Sequence, residues 1–104
     1  MHEINIPKDF SSTPGARYEN DGPYSGEKFR ENFLEPLFGE TPETSKIHII
    51  LDGAEGYPTS FLEEAFGGIA RKHGKEICKQ RFVFTSDEDP LLIDEIQGYI
   101  NDSN

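Results

Sequence analysis

Cysteine and basic residues are scarce in this 104-residue chain: one Cys, and 10 Lys and Arg against 20 Asp and Glu, for a formal net charge of -10. A lone Cys78 excludes an intramolecular disulfide. The charge balance argues against nucleic acid as a partner, because the field of the whole molecule repels a phosphate backbone. No apolar run approaches the roughly 18–20 residues of a membrane span. The opening residues, MHEINIPKDF, show neither a basic stretch followed by an apolar one nor an Arg- and Ser-rich amphipathic character, so a cytoplasmic protein is expected. His2, His48 and His73 are far apart, and with one cysteine no metal-ligand spacing exists; neither a metal nor a cofactor is expected. TPGAR lacks the GxxxxGK[ST] spacing of a phosphate-binding loop. Asp87-Glu88-Asp89 lacks the twelve-residue calcium-loop pattern.

What is present fits one domain spanning residues 1–104, large enough for a single core. Glu3-Ile4-Asn5-Ile6 alternates polar and apolar and is stopped by Pro7, which predicts a short strand at an edge. SSTPGARYENDGP is crowded with turn formers, with room for a short strand at Arg17-Tyr18-Glu19. Ser25 then suits an N-cap, and Phe29, Phe33 and Leu37 define one face of a helix ending near Gly39. Pro36 predicts a kink or break near Leu34 or Glu35. KIHIIL, from Lys46 to Leu51, is apolar on both sides around His48 and predicts the central strand, covered by helices on both faces. A second helix follows from Phe61 to His73, stopped by Gly74. KEICKQ is ambiguous. RFVFTS reads as a strand, and DEDPLLIDEIQGYIND as a helix capped by Asp89 with Pro90 in its first turn. The order predicts an α/β sandwich with right-handed crossovers.

Charge is unevenly placed. Arg71, Lys72, Lys75, Lys79 and Arg81 form a basic stretch, whereas Asp87 to Asn104 holds six acids and no base. Cys78 lies in that basic neighbourhood without a catalytic partner and reads as a part-buried structural thiol. The stretch GYPTSFLEEAFGG concentrates the remaining interest. Ser60-Phe61-Leu62-Glu63 has the spacing of a capping box, whose serine would contribute about 1 kcal/mol. Gly67 and Gly68 cost about 2 kcal/mol in helix propensity against two alanines. Close approach of another element is the expected reason.

TPGARY (Thr13 to Tyr18), DGPYSGEKFR (Asp21 to Arg30) and SFLEEAFGG (Ser60 to Gly68), set around the hydrophobic strand, resemble a prokaryotic family of STAS-like domains of unknown function. The resemblance runs from about Ile4 to Ile100. It implies an α/β sandwich with a small mixed sheet of about four strands and three main helices. It also implies a relation to anti-sigma-factor antagonists, in which a serine at a helix start after a strand is phosphorylated by a histidine-kinase-like ATPase. Carried over, Ile47 to Asp52 falls on that strand and Thr59-Ser60 on the motif, although Pro58 or Thr59 and Phe61 replace the motif's aspartate and glycine. The expectation is a non-enzymatic regulatory module that binds a protein partner, with Ser60 and Thr59 as phosphoacceptor candidates. Tyr57, Glu63, Glu64, Gly67 and Gly68 are the partner-binding candidates. The rival is a small-ligand or nucleotide-binding domain using the amides at 59–62 together with Arg17. The sequence leaves the oligomeric state open.

Overall fold

Three strands of four residues each organise the chain: β1 (His2–Asn5), β2 (Ile47–Ile50) and β3 (Phe82–Thr85). The structure, a computed structural model, describes residues 2–103. The strands form one sheet in the order β1-β2-β3, every pair parallel, with Ile4, Ile49 and Phe84 in one row and Glu3, His48 and Val83 in the next. This corrects the expected mixed sheet of about four strands: among the described residues there are three, and β2 is central as predicted. Arg17-Tyr18-Glu19 is not a strand but a bend leading into a 3-10 turn, Glu19–Asp21. Its carbonyls serve a helix end instead, because Glu27 N–H donates to Arg17 O at 2.9 Å.

Among the described residues, only one face of the sheet is covered. Ile4, Ile47, Ile49 and Phe82 are buried, while Glu3, His48, Ile50, Val83 and Thr85 on the other face are half-buried or exposed. The expectation that helices would sandwich β2 is therefore corrected. When strand order advances in one direction, right-handed crossovers all fall on the same side, so successive helices stack in a single layer. The open face satisfies its polar groups locally: His48 Nε2 is 2.6 Å from Thr85 Oγ1 and its Nδ1 is 3.4 Å from Glu3.

The first long helix, α1, occupies residues 26–40. Ser25 caps it as expected, its Oγ accepting from Lys28 N–H at 3.1 Å. The helix is α-helical at Gly26–Phe29, π-helical at Arg30–Leu34 and α-helical again at Glu35–Glu40. The wider turn restarts the hydrogen-bond register so that donorless Pro36 falls in a first turn, where no N–H is required. Helix α2, residues 59–73, likewise has a π segment at Glu63–Gly67 and ends at Gly74, whose φ of 102° lets its N–H return to Ala70 O. KEICKQ resolves as helix α3 (Lys75–Arg81). The last helix, α4 (Leu91–Asn101), starts one residue later than expected: Pro90 is the cap residue, and Asp89 contributes its carbonyl rather than its carboxylate.

The core lies between sheet and helices. Phe29, Leu34, Phe61, Phe66, Ile69 and Ile96 have no measurable exposure. Phe66 packs edge-on against both Phe82 and Phe84, which fixes α2 over β3. Arg81 is also buried. Its charge is held by Ser45 O at 2.9 Å, Thr41 Oγ1 at 2.5 Å and the face of Phe38 at 4.8 Å.

Candidate functional site

The strand ends and the start of α2 meet at one edge of the sheet. Asp52, just after β2, accepts from the backbone of Asp87 at 2.9 Å and Glu88 at 2.8 Å, and Glu88 in turn accepts from Gly53 N–H at 2.7 Å. These bonds tie the loop after β2 to the loop after β3. Tyr57 is half-buried and donates its hydroxyl to Leu51 O at 2.6 Å. Burial, reinforced by Asp52 and Glu88, raises its pKa well beyond the ordinary phenol range. A depression of about 340 Å³ lies here, walled by Leu51, Asp52, Tyr57, Glu88, Leu92 and Glu95.

Helix α2 begins at Thr59, with Pro58 as the cap residue and no side-chain cap. The predicted capping box does not form. Extended Pro58 (φ −60°, ψ 144°) starts the helix ahead of Ser60, which is thereby inside the first turn. Glu63 does not reach back, because arginines hold it. Thr59 is exposed and Ser60 half-buried. The Thr59 hydroxyl lies beside the Tyr99 phenol, which donates to Glu95 at 2.7 Å.

Across the flank of α2 runs a chain of alternating charges. Arg71 and Arg17 each approach Glu63 to 2.5 Å; Arg17 also reaches Glu64 at 3.3 Å. Arg30 bridges Glu64 at 3.1 Å and Glu35 at 3.0 Å, and Glu35 also meets Lys72 at 3.2 Å and His73 at 2.8 Å. The Arg71 hydrogen bond, against the opposing effect of burial and together with Arg17, holds the Glu63 carboxyl below the usual range. For Glu35, burial is the largest effect and pushes upward, but His73, Lys72 and Arg30 outweigh it and leave it depressed. Eight side chains from a loop and two helices thus form one electrostatic seam.

That seam explains the glycines. A Cβ at Gly68 would lie 2.8 Å from Arg30 Nε, and one at Gly67 would lie 2.5 Å from Glu63 Oε2. Gly26 plays the same part on α1, where a Cβ would collide with the Phe61 carbonyl oxygen. The seam also explains TPGARY. Ala16 takes a left-handed φ of 73°, and its carbonyl accepts from Gly26 N–H at 3.0 Å, closing the N-terminus of α1 while Arg17 extends to α2. A non-glycine residue in that region is uncommon, and here two neighbouring carbonyls hold it in place.

Of the sequence candidates, Thr59, Ser60, Tyr57 and Glu63 stay at least partly accessible, whereas Glu64 and Gly67 are buried and Gly68 lies under Arg30. Arg17 lies against α2 but spends its charge on Glu63 and Glu64. Sequence reasoning missed Arg30, Glu35 and Arg71, whose pairings are long-range; the adjacent glycines were the one local clue. Cys78 is buried, and desolvation pushes its thiol up to about 12, so its basic neighbourhood does not activate it. Among the described residues no cluster of three or more His, Cys, Asp or Glu is arranged for a metal, and no helix is long and apolar enough to cross a membrane.

The architecture defines an α/β domain with a parallel sheet covered on one face and a helix start presented just past its central strand. A family model described as a STAS-like domain of unknown function matches residues 25–92, and the chain belongs to that family. The match begins at Ser25, the cap of α1, and takes in all of α1, β2, α2 and β3. Searches of curated proteins and of solved structures gave no match.

Proposed function

We propose that this domain is a non-enzymatic regulatory module that binds a protein partner through the start of α2, with Thr59 and Ser60 as the positions a partner modifies. The observation that carries this reading is that both hydroxyls lie in the first turn of α2, Thr59 exposed, while neither caps the helix. Neither is tied up in capping, and the Thr59 hydroxyl has the Tyr99 phenol as its neighbour. A phosphate there would face the unpaired amides of the first turn and the positive end of the helix dipole. The nearest acids on the helix, Glu63 and Glu64, are already matched by Arg17, Arg30 and Arg71, which lowers the repulsion an added phosphate would meet.

The partner class rests on the resemblance to anti-sigma-factor antagonists: a histidine-kinase-like ATPase that passes the γ-phosphoryl of ATP to a hydroxyl oxygen, releasing ADP and a proton. Two features weigh against the small-ligand alternative. Arg17 is committed to carboxylates, and the nearby depression is walled by Asp52, Glu55, Glu88, Asp89 and Glu95, a lining that repels phosphorylated ligands.

The test is mass spectrometry of the protein taken from cells that express it naturally, mapped across residues 56–68, together with pull-downs comparing Ser60→Asp and Thr59→Glu with Ser60→Ala and Thr59→Ala. One phosphate on Thr59 or Ser60, and partners lost or gained only with the acidic variants, are expected. An unmodified segment and identical partners for all four variants would sink the reading.

A further inference from the structure

The sheet has two open edges, and they are not alike. β1 carries the exposed carboxylate of Glu3 and runs into Pro7, features that discourage strand addition. β3 has neither. Its sequence is Phe-Val-Phe-Thr, Val83 is 39% exposed, and Phe84 is half-buried. Leu51 N–H donates to Thr85 O at 2.9 Å, so Thr85 turns its peptide groups toward β2, and Phe84, one residue back, turns its N–H and C=O outward. Beside this edge, between α3 and α4, lies a groove of about 220 Å³ with Cys78, Phe82, Phe84 and Ile100 as its apolar lining and Lys79, Gln97 and Asn101 on its rim.

We propose that β3 pairs with β3 of a second copy of this chain, antiparallel about a two-fold axis at Phe84. Charge selects this occupant. Lys79 precedes the strand and Asp87, Glu88 and Asp89 follow it, all exposed. Antiparallel self-pairing therefore sets the acidic end of each strand toward the end that Lys79, on the last turn of α3, precedes in the other. With the axis at Phe84, Val83 faces Thr85 of the partner, and the two Phe84 rings meet on the groove side. The outward peptide groups of the two Phe84 residues bond each other, and the pairing closes as a dimer with both β3 edges consumed. Parallel addition to β1 of a neighbour would leave an edge open and build a filament.

Sedimentation of the intact protein over a concentration series tests this, with twice the 11.8 kDa of one chain as the expected limiting mass. Lys79→Glu, an exposed change, is expected to weaken the dimer about tenfold or more by placing like charge at both symmetric strand ends. Val83→Cys/Thr85→Cys should give a disulfide-linked dimer on a non-reducing gel, while Val83→Cys alone should not; buried Cys78 stays out of the reaction. A single-chain mass at every concentration overturns the proposal. So does a dimer indifferent to Lys79→Glu, or cross-linking by Val83→Cys alone as strong as by the pair.

Discussion

Gly68→Ala should destabilise the domain even though alanine is the better helix former. The substitution gains about 1 kcal/mol of helix propensity. Its Cβ, however, would stand 2.8 Å from Arg30 Nε and 3.0 Å from Arg30 Cδ. Ordinary carbon contacts need about 3.5–4.0 Å, so the arginine must retreat. It is poorly placed to do so, because its two terminal nitrogens are held by Glu35 at 3.0 Å and Glu64 at 3.1 Å. Losing one charge-assisted bond costs about 1.5–3 kcal/mol. After the propensity gain, a net loss of about 1 kcal/mol remains, read in thermal melts as a drop in Tm of about 4–8 °C for a domain of this size. The sign should invert in an Arg30→Met background. There the obstructing guanidinium is gone, Glu64 keeps Arg17 and Glu35 keeps Lys72 and His73, and the same Gly68→Ala should stabilise by up to about 1 kcal/mol. If alanine has the same effect in both backgrounds, Arg30 is not what excludes a side chain at position 68.

Ser25→Ala and Ser60→Ala should separate in urea titrations. The first removes an observed cap and should cost about 1 kcal/mol, while the second removes none and should change stability by less than about 0.5 kcal/mol. Acid stability should follow the seam. Glu63 and Glu35 are depressed below their usual 4.5, so their contribution is complete above that value and is lost as pH falls through their folded pKa values. The urea midpoint should thus hold near neutrality and decline below about pH 4.5, less steeply in Glu63→Gln; an unchanged slope in that variant would refute the assignment. Cys78, with its thiol pushed up to about 12, should resist a thiol reagent in the native protein at neutral pH and react only in denaturant, with immediate native labelling as the contrary result.

Much of the scaffold was legible because local chemistry decided it. Alternation and a proline marked β1, the β-branched run marked β2, Ser25 marked the start of α1, and Pro36 marked the break that appears as a π segment. Gly74 marked the end of α2. What stayed hidden was decided by partners distant in sequence. KEICKQ has too few apolar residues to declare a helix, and it is settled by burying Cys78 and Arg81, the latter against Thr41 and Ser45. IHII is apolar at both parities, so its pattern could not tell one covered face from two; strand order decided that. The capping box failed because a legitimate local pattern lost to Pro58 at the helix start and to arginines that draw Glu63 away.

The seam also changes how the chain's net charge of -10 is distributed over its surface. Read as sequence, residues 71–81 form a basic patch opposite an acidic tail. In the fold, Arg71 and Lys72 are taken by Glu63 and Glu35, Arg81 is buried, and Lys75 donates to Asn101 O at 3.3 Å. Among the described residues Lys79 has only the weak neighbouring pair with Glu76, 3.6 Å away and largely exposed. Much of the positive charge of that run is thus spent inside the domain or along its flank. The most available remainder stands at the start of β3, while Asp87, Glu88 and Asp89 crowd its other end. An exposed strand with a cation before it and anions after it is a poor template for an acidic stranger and a good one for its own reverse. The seam that orders the flank of α2 therefore also leaves the start of β3 with the most available positive charge, which is what the proposed self-pairing uses.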